Sequence, residues 1–197
     1  YLLLVTHRSM KQLIRGRAAA EDHTKLADRF AKVGFEMTDI TAYQLMANAI
    51  LPHSDRREEW EDKREALWPR IKNTVIKLKL LFQEKASAET FKDLIPLHPS
   101  SAYLLALISR QFTSSERTLF KFLTDQREDS LGGFIQKKPS DGTYFYTADL
   151  LWDYFFASPN EEIGESIKDL VSHYLIHADA VSTNARPVFK AAVLVLT

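Results

Sequence analysis

Leu2-Leu3-Leu4-Val5 is an unbroken apolar run of strand length. Such a run fits a strand buried on both faces, as in a parallel sheet covered by helices. Thr6-His7-Arg8-Ser9 and a helical stretch, Met10–Arg17, come after it. Strand, short polar loop and helix form the unit of an α/β sheet. Residues 21–32 read as a helix holding Leu26 and Phe30, and Val33-Gly34-Phe35-Glu36-Met37 alternates like a second short strand.

From there the spacing is helical. Thr41-Ala42-Tyr43-Gln44 has the capping-box pattern and opens a helix with Leu45, Met46, Ala49 and Ile50, which Pro52 ends. Residues 55–85 predict a long helix whose solvated face mixes Arg56, Arg57, Glu58, Glu59, Glu61, Asp62, Lys63, Arg64 and Glu65. Trp60, Leu67 and Trp68 point it towards a core, and Ile71, Val75, Leu78 and Phe82 continue the spacing. Pro69 is expected to break or kink it. Pro99 suits the first residue of a helix carrying Ala102, Leu104, Leu105, Leu107 and Ile108 and ending near Phe112. Thr113-Ser114-Ser115 caps a second helix, Glu116–Gln126. Leu131-Gly132-Gly133-Phe134 reads as a turn, and Pro139-Ser140-Asp141-Gly142 as the clearest β-turn. Flanked by Gly133–Gln136 and Thr143–Tyr146, that turn predicts a small hairpin. Thr147 opens a helix with Leu150, Leu151, Tyr154 and Phe155. Another starts at Pro159 and runs to about Ala178, and a last one comes after Pro187.

Composition narrows the function classes. With 26 Lys+Arg against 26 Asp+Glu the formal net charge is zero, so nothing global attracts DNA, RNA or an anionic membrane. No membrane partner is expected, and no window approaches 18 apolar residues. The absence of cysteine excludes disulfides and cysteine-based zinc or iron–sulfur sites, and fits a cytoplasmic location. The apolar runs at both ends, Tyr1–Val5 and Ala191–Leu196, lead us to expect partner elements outside this chain.

Few constellations carry chemistry by themselves. His173 and His177 share a helix face at i, i+4, but no HExxH glutamate accompanies them and no metal site is expected. There is no G-x-S-x-G elbow, and the six glycines form neither GxGxxG nor a GxxxxGK[ST] phosphate loop. The aromatic stretch from Tyr144 to Phe156 lies among Asp149 and Asp153, which favours core packing over base stacking.

Four segments, taken in order, resemble the second half of a AAA+ ATPase module. The closer likeness is to STAND-like or ORC-like bacterial P-loop ATPases, and it covers about residues 1–156. Leu2–Ser9 is similar to the strand ending in a polar sensor 1 residue, where the resemblance makes Thr6 and His7 the candidates for orienting the water that attacks a γ-phosphate. Asp28-Arg29-Phe30 before Val33–Met37 looks like the segment closing the core sheet, with Arg29 as arginine-finger candidate. The alternative is a surface Arg paired with Asp28 or Glu36. Thr41–Leu51 matches the first lid helix. Pro96-Leu97-His98-Pro99 through Leu107, then Ser115-Glu116-Arg117-Thr118-Leu119-Phe120-Lys121-Phe122-Leu123, resembles the lid pattern of such ATPases. It puts Arg117 at a helix start, where a sensor 2 Arg can hold a γ-phosphate. Otherwise Arg117 is tied to Glu116 or Asp125.

The resemblance implies a fold that is mainly α with a small β component. Residues 1–40 would end a parallel α/β AAA+ core, 41–130 would form the helical lid, and 131–197 a helical C-terminal part leading towards a winged helix, with Val188–Leu196 as its first helix. It implies ATP and Mg²⁺ as cofactors, although the phosphate loop and the Mg²⁺-binding strand do not occur in this sequence. The chain alone is then no competent enzyme. Its partners would be the ATPase half bearing the phosphate loop and further copies of itself, with bacterial anti-phage defence as a setting. Two rival functions stay open, a non-enzymatic helical protein-interaction module and a DNA-binding regulator. Lys168, Arg186 and Lys190 are too few to predict the latter.

Overall fold

The computed structural model describes residues 38–110, 115–137, 144–157 and 165–196, and these are mostly helical. The expected strands Leu2–Val5 and Val33–Met37, the helices predicted within residues 10–32 and the turn Pro139–Gly142 lie outside the described residues.

Helix α1 spans Asp39–Ile50. Its cap is Thr38, three residues before the Thr41 expected from the sequence: Thr38 Oγ1 accepts from the Thr41 backbone N–H at 3.2 Å. Both threonines fit a cap by type. Thr38 wins because Asp39 then falls in the first turn, against the positive end of the helix. The helix stops at Ile50 because Leu51 precedes Pro52 and takes an extended ψ of 126°. Ala42, Tyr43, Met46 and Ile50 form its buried face.

Helix α2, Arg57–Phe82, runs unbroken for 26 residues with Pro69 inside it. Proline removes one N–H, so the carbonyl of Glu65 loses its helical partner. Glu65 and Pro69 are both exposed, and the helix continues through them. Ile71, Val75 and Leu78 are buried, and Trp60 and Trp68 pack partly against the same core. Gln83 ends the helix in the left-handed region, at φ 53°.

Helix α3, Ala88–Asp93, is capped by Ser87, whose Oγ accepts from Thr90 N–H at 3.0 Å. The chain then passes through a cis Ile95–Pro96 peptide into α4, Pro99–Arg110. α4 is the centre of the fold. Ala102, Leu104, Leu105, Ala106 and Ile108 are buried, and it packs against α1 and α2 and, later in the chain, the helices Ser115–Thr124, Ala148–Phe156 and Arg186–Val195. A helix apolar on most sides is what such a central position requires.

Helix α5 is Ser115–Thr124, with Leu119, Phe122 and Leu123 inward. The next segment departs from expectation. Leu131-Gly132-Gly133-Phe134 belongs to a short helix, α6, Leu131–Gln136, and not to a turn. Ser130 caps it: its Oγ accepts from Gly133 N–H at 3.1 Å and lies 2.8 Å and 2.6 Å from the carbonyls of Asp125 and Arg127. The glycines serve close approach. A Cβ at Gly132 would lie 2.4 Å from the Asp125 carbonyl oxygen, and one at Gly133 would lie 2.1 Å from that of Arg127.

With Gly133–Gln136 helical, the expected hairpin has no first strand. Tyr146 pairs instead with Leu97, in a parallel bridge. Tyr146 N–H donates to Pro96 O at 2.8 Å, and His98 N–H donates to Tyr146 O at 3.0 Å. Helices α7 (Ala148–Phe156), α8 (Glu165–His177) and α9 (Arg186–Val195) complete the described chain, with Pro187 in the first turn of α9. α9 packs mainly on α7. One hydrophobic core joins residues from α1 through α9.

Candidate functional site

The segments expected to form a lid include α1, α4 and α5, each packed against the other two. Amphipathic spacing produces this. Tyr43 and Met46 of α1, Leu104, Leu105 and Ile108 of α4, and Leu119 and Phe122 of α5 are all buried in the common core. Fully burying one such side chain contributes about 1.5–3 kcal/mol, so the three helices fix one another's positions. Arg117 occupies the third residue of α5, in its first turn. The other three site candidates, Thr6, His7 and Arg29, lie outside the described residues.

The Pro96–Pro99 segment that introduces α4 has its own local chemistry. His98 Nδ1 is 2.6 Å from Ser100 Oγ, and the imidazole meets the Phe145 ring edge-on at 6.1 Å between centroids. Burial lowers the His98 pKa below its ordinary value, so the ring is neutral at pH 7. A serine–histidine dyad needs a third group orienting the other ring nitrogen. Among the described residues, nothing hydrogen-bonds to His98 Nε2. The contact joins the residue before α4 to its first turn.

A second polar cluster links α5 to α7. Tyr154 donates its hydroxyl to Asp125 Oδ2 at 3.1 Å. The Arg127 guanidinium lies over the Tyr154 ring at 4.3 Å, reaches Asp129 at 3.3 Å and donates to the Tyr154 carbonyl at 3.1 Å. Burial opposes ionisation of Asp125. The Arg127 backbone N–H, the Tyr154 hydroxyl and the Arg127 charge together outweigh it, and the carboxyl lies below its ordinary range. Burial, and then the Asp125 charge, push the Tyr154 phenol up. Each of these groups has a partner within the cluster.

Most of the aromatic stretch from Tyr144 to Phe156 is core, although Tyr144 itself is exposed. Tyr146, Trp152, Phe155 and Phe156 are buried, and Phe122 packs against Tyr146, Tyr154 and Phe155 at 5.0–5.6 Å between centroids. His173 and His177 sit ring beside ring at 4.5 Å on α8. Among the described residues, no group of three or more potential metal ligands occurs.

The charges on α2 are segregated in a way that reading the whole 55–85 segment as one solvated face missed. In its first half two of the three cations find carboxylates, Lys63 with Glu59 and Arg64 with Glu61 and Asp93, and Lys92 of α3 reaches back to Glu65. From Ala66 to Gln83 there is no acidic residue, but there are Arg70, Lys72, Lys77 and Lys79. Arg70 stacks over the Tyr144 ring at 4.8 Å. The three lysines take part in no ion pair among the described residues. The signal was present in the sequence as that acid-free stretch.

No family model, curated protein or solved structure matches this chain. Among the described residues, no helix is long and apolar enough to cross a membrane.

Proposed function

We propose that this chain is the sensor and lid portion of a AAA+/STAND-like ATPase, coupling ATP binding and hydrolysis to movement of the lid. The observation that carries the reading is Arg117 in the first turn of α5, on a helix braced by α1 and α4. A guanidinium there would contact a γ-phosphate in cis and make lid angle depend on nucleotide state. Thr6 or His7 would orient the attacking water, and Arg29 would serve a neighbouring subunit's nucleotide. The residues that grip the phosphates and Mg²⁺ would come from a segment or subunit carrying the phosphate loop, which this sequence does not contain. The parallel α/β core end and the winged-helix continuation belong to the same proposal, as do a cytoplasmic location and a role in bacterial defence.

A rival reading, a helical module that binds protein partners without catalysis, draws on the exposed Leu175, Ile176, Val188, Val195 and Leu196 of α8, α9 and the residue after it. One substitution separates the two. In the assembled ATPase, Arg117→Ala is expected to lower ATP turnover at least about tenfold, the scale of one lost charge-assisted contact to the transferring phosphate. Far-UV circular dichroism should stay unchanged. Unchanged turnover rejects the sensor role and leaves the interaction module standing.

A further inference from the structure

We infer that the C-terminal half of α2 is a docking surface for an anionic phospholipid bilayer. The helix turns Ile71, Val75 and Leu78 into the core, so the opposite side faces solvent. Two neighbouring rows at i, i+4, i+8 run along that side: Lys72, Ile76 and Leu80, and Asn73, Lys77 and Leu81. All six are exposed, and Leu80 and Leu81 stand 76% and 75% accessible. Large aliphatic residues so exposed are costly unless something covers them.

Charge decides the occupant. Lysines interleaved with protruding aliphatic residues on one helix face match a lipid interface: the apolar groups enter the acyl boundary while the ammonium groups meet anionic headgroups. Lys72, Lys77 and Lys79 are engaged by no carboxylate of the described residues, unlike Lys63 and Arg64 of the first half. Lys85, just past the helix, is exposed as well. The nearest acid, Glu84, turns inward, accepting from the Tyr43 hydroxyl at 2.9 Å and the Ala86 N–H at 2.8 Å. A nucleic-acid surface would not use Leu80 and Leu81, and a second copy meeting this face symmetrically would set lysine against lysine. The zero net charge of the whole chain conceals this local excess.

The first half of α2 sets the docking angle. Glu58, Glu59 and Asp62 are exposed, and anionic lipid would repel them. Asp62 and Leu80 are 18 residues apart, about 27 Å along the helix, which exceeds the screening length of roughly 8–10 Å near physiological salt. The helix therefore meets the bilayer tilted, by its C-terminal end.

The test is co-sedimentation of the 197-residue chain with vesicles of phosphatidylcholine alone and of phosphatidylcholine mixed with phosphatidylserine. Partitioning to the mixed vesicles at low salt should exceed that to neutral ones at least about tenfold, and should fall as salt rises. Lys72→Glu with Lys77→Glu should lower it about tenfold or more, and so should Leu80→Ser with Leu81→Ser. Both pairs lie on the exposed face, so helicity by circular dichroism should hold in each. Absence of binding to mixed vesicles overturns the inference and points to a protein occupant. Equal binding to both vesicle types, or wild-type binding by either double variant, overturns it too.

Discussion

Gly133→Ala should destabilise this fold, against the usual sign for that exchange in a helix. Gly133 lies within α6, where alanine ordinarily gains about 0.5–1 kcal/mol by reducing backbone entropy in the unfolded chain. Here the added methyl would sit 2.1 Å from the Arg127 carbonyl oxygen and 2.8 Å from its carbonyl carbon. Ordinary carbon contacts begin at about 3.5 Å, so more than an ångström of overlap must be relieved. The obstacle is backbone, which cannot swing aside as a side chain would. α6 must lift from the 125–129 loop, and that strains the Ser130 hydrogen bonds to Gly133 N–H and to the carbonyls of Asp125 and Arg127. Overpacking costs typically about 1–3 kcal/mol, and each lost hydrogen bond about 1 kcal/mol. After the propensity gain, the net loss is about 2–4 kcal/mol. For a chain of this size that lowers Tm by roughly 5–15 °C. Urea and thermal unfolding followed by circular dichroism measure it. A midpoint at or above wild type would show that the close approach of α6 to the loop does not govern stability.

Phe122→Ala should cost about 3–5 kcal/mol, since Phe122 is fully buried and touches three aromatic rings; an unfolding midpoint within a degree of wild type refutes its central place in the core. Burial, reinforced by the charges of Glu84, Asp129 and Asp125, raises the phenols of Tyr43, Tyr146 and Tyr154 above their ordinary value. Their contribution is fully present below pH ~10, the unfolded value, and is lost as pH rises beyond it, because the unfolded chain releases those protons first. Tyrosinate absorbance should therefore show three of the seven tyrosines ionising only as the fold opens, and smooth titration of all seven with the fold intact would contradict this.

Most helices could be located from the order of residues alone. Periodic apolar residues placed α1, α4, α5, α7 and α9 to within a few positions, because a helix that buries one face must repeat its apolar residues at helical spacing. Pro99 and Pro52 marked their boundaries through backbone sterics alone. The same logic put the aromatic residues after Tyr144 in the core. Of the candidate site, sequence reading placed Arg117 at a helix start and α2 on the surface. It gave α2 one solvated face on the mixed charges of 56–65, and passed over the acid-free cationic stretch that comes after them.

The features that needed the folded structure have causes lying far along the chain. A Gly-Gly pair signals a turn locally, and only the nearness of the Asp125 and Arg127 carbonyls makes it a packing requirement in a helix. Tyr144–Tyr146 looks like half of a hairpin, yet its partner is Leu97, roughly fifty residues away. A single proline reads as a break, but α2 continues through Pro69, which lies with Glu65 on the exposed side while Ile71, Val75 and Leu78 anchor the helix in the core. Local propensity is a free-energy preference of about 1 kcal/mol or less per ordinary residue, and burial of several large side chains in one core exceeds it.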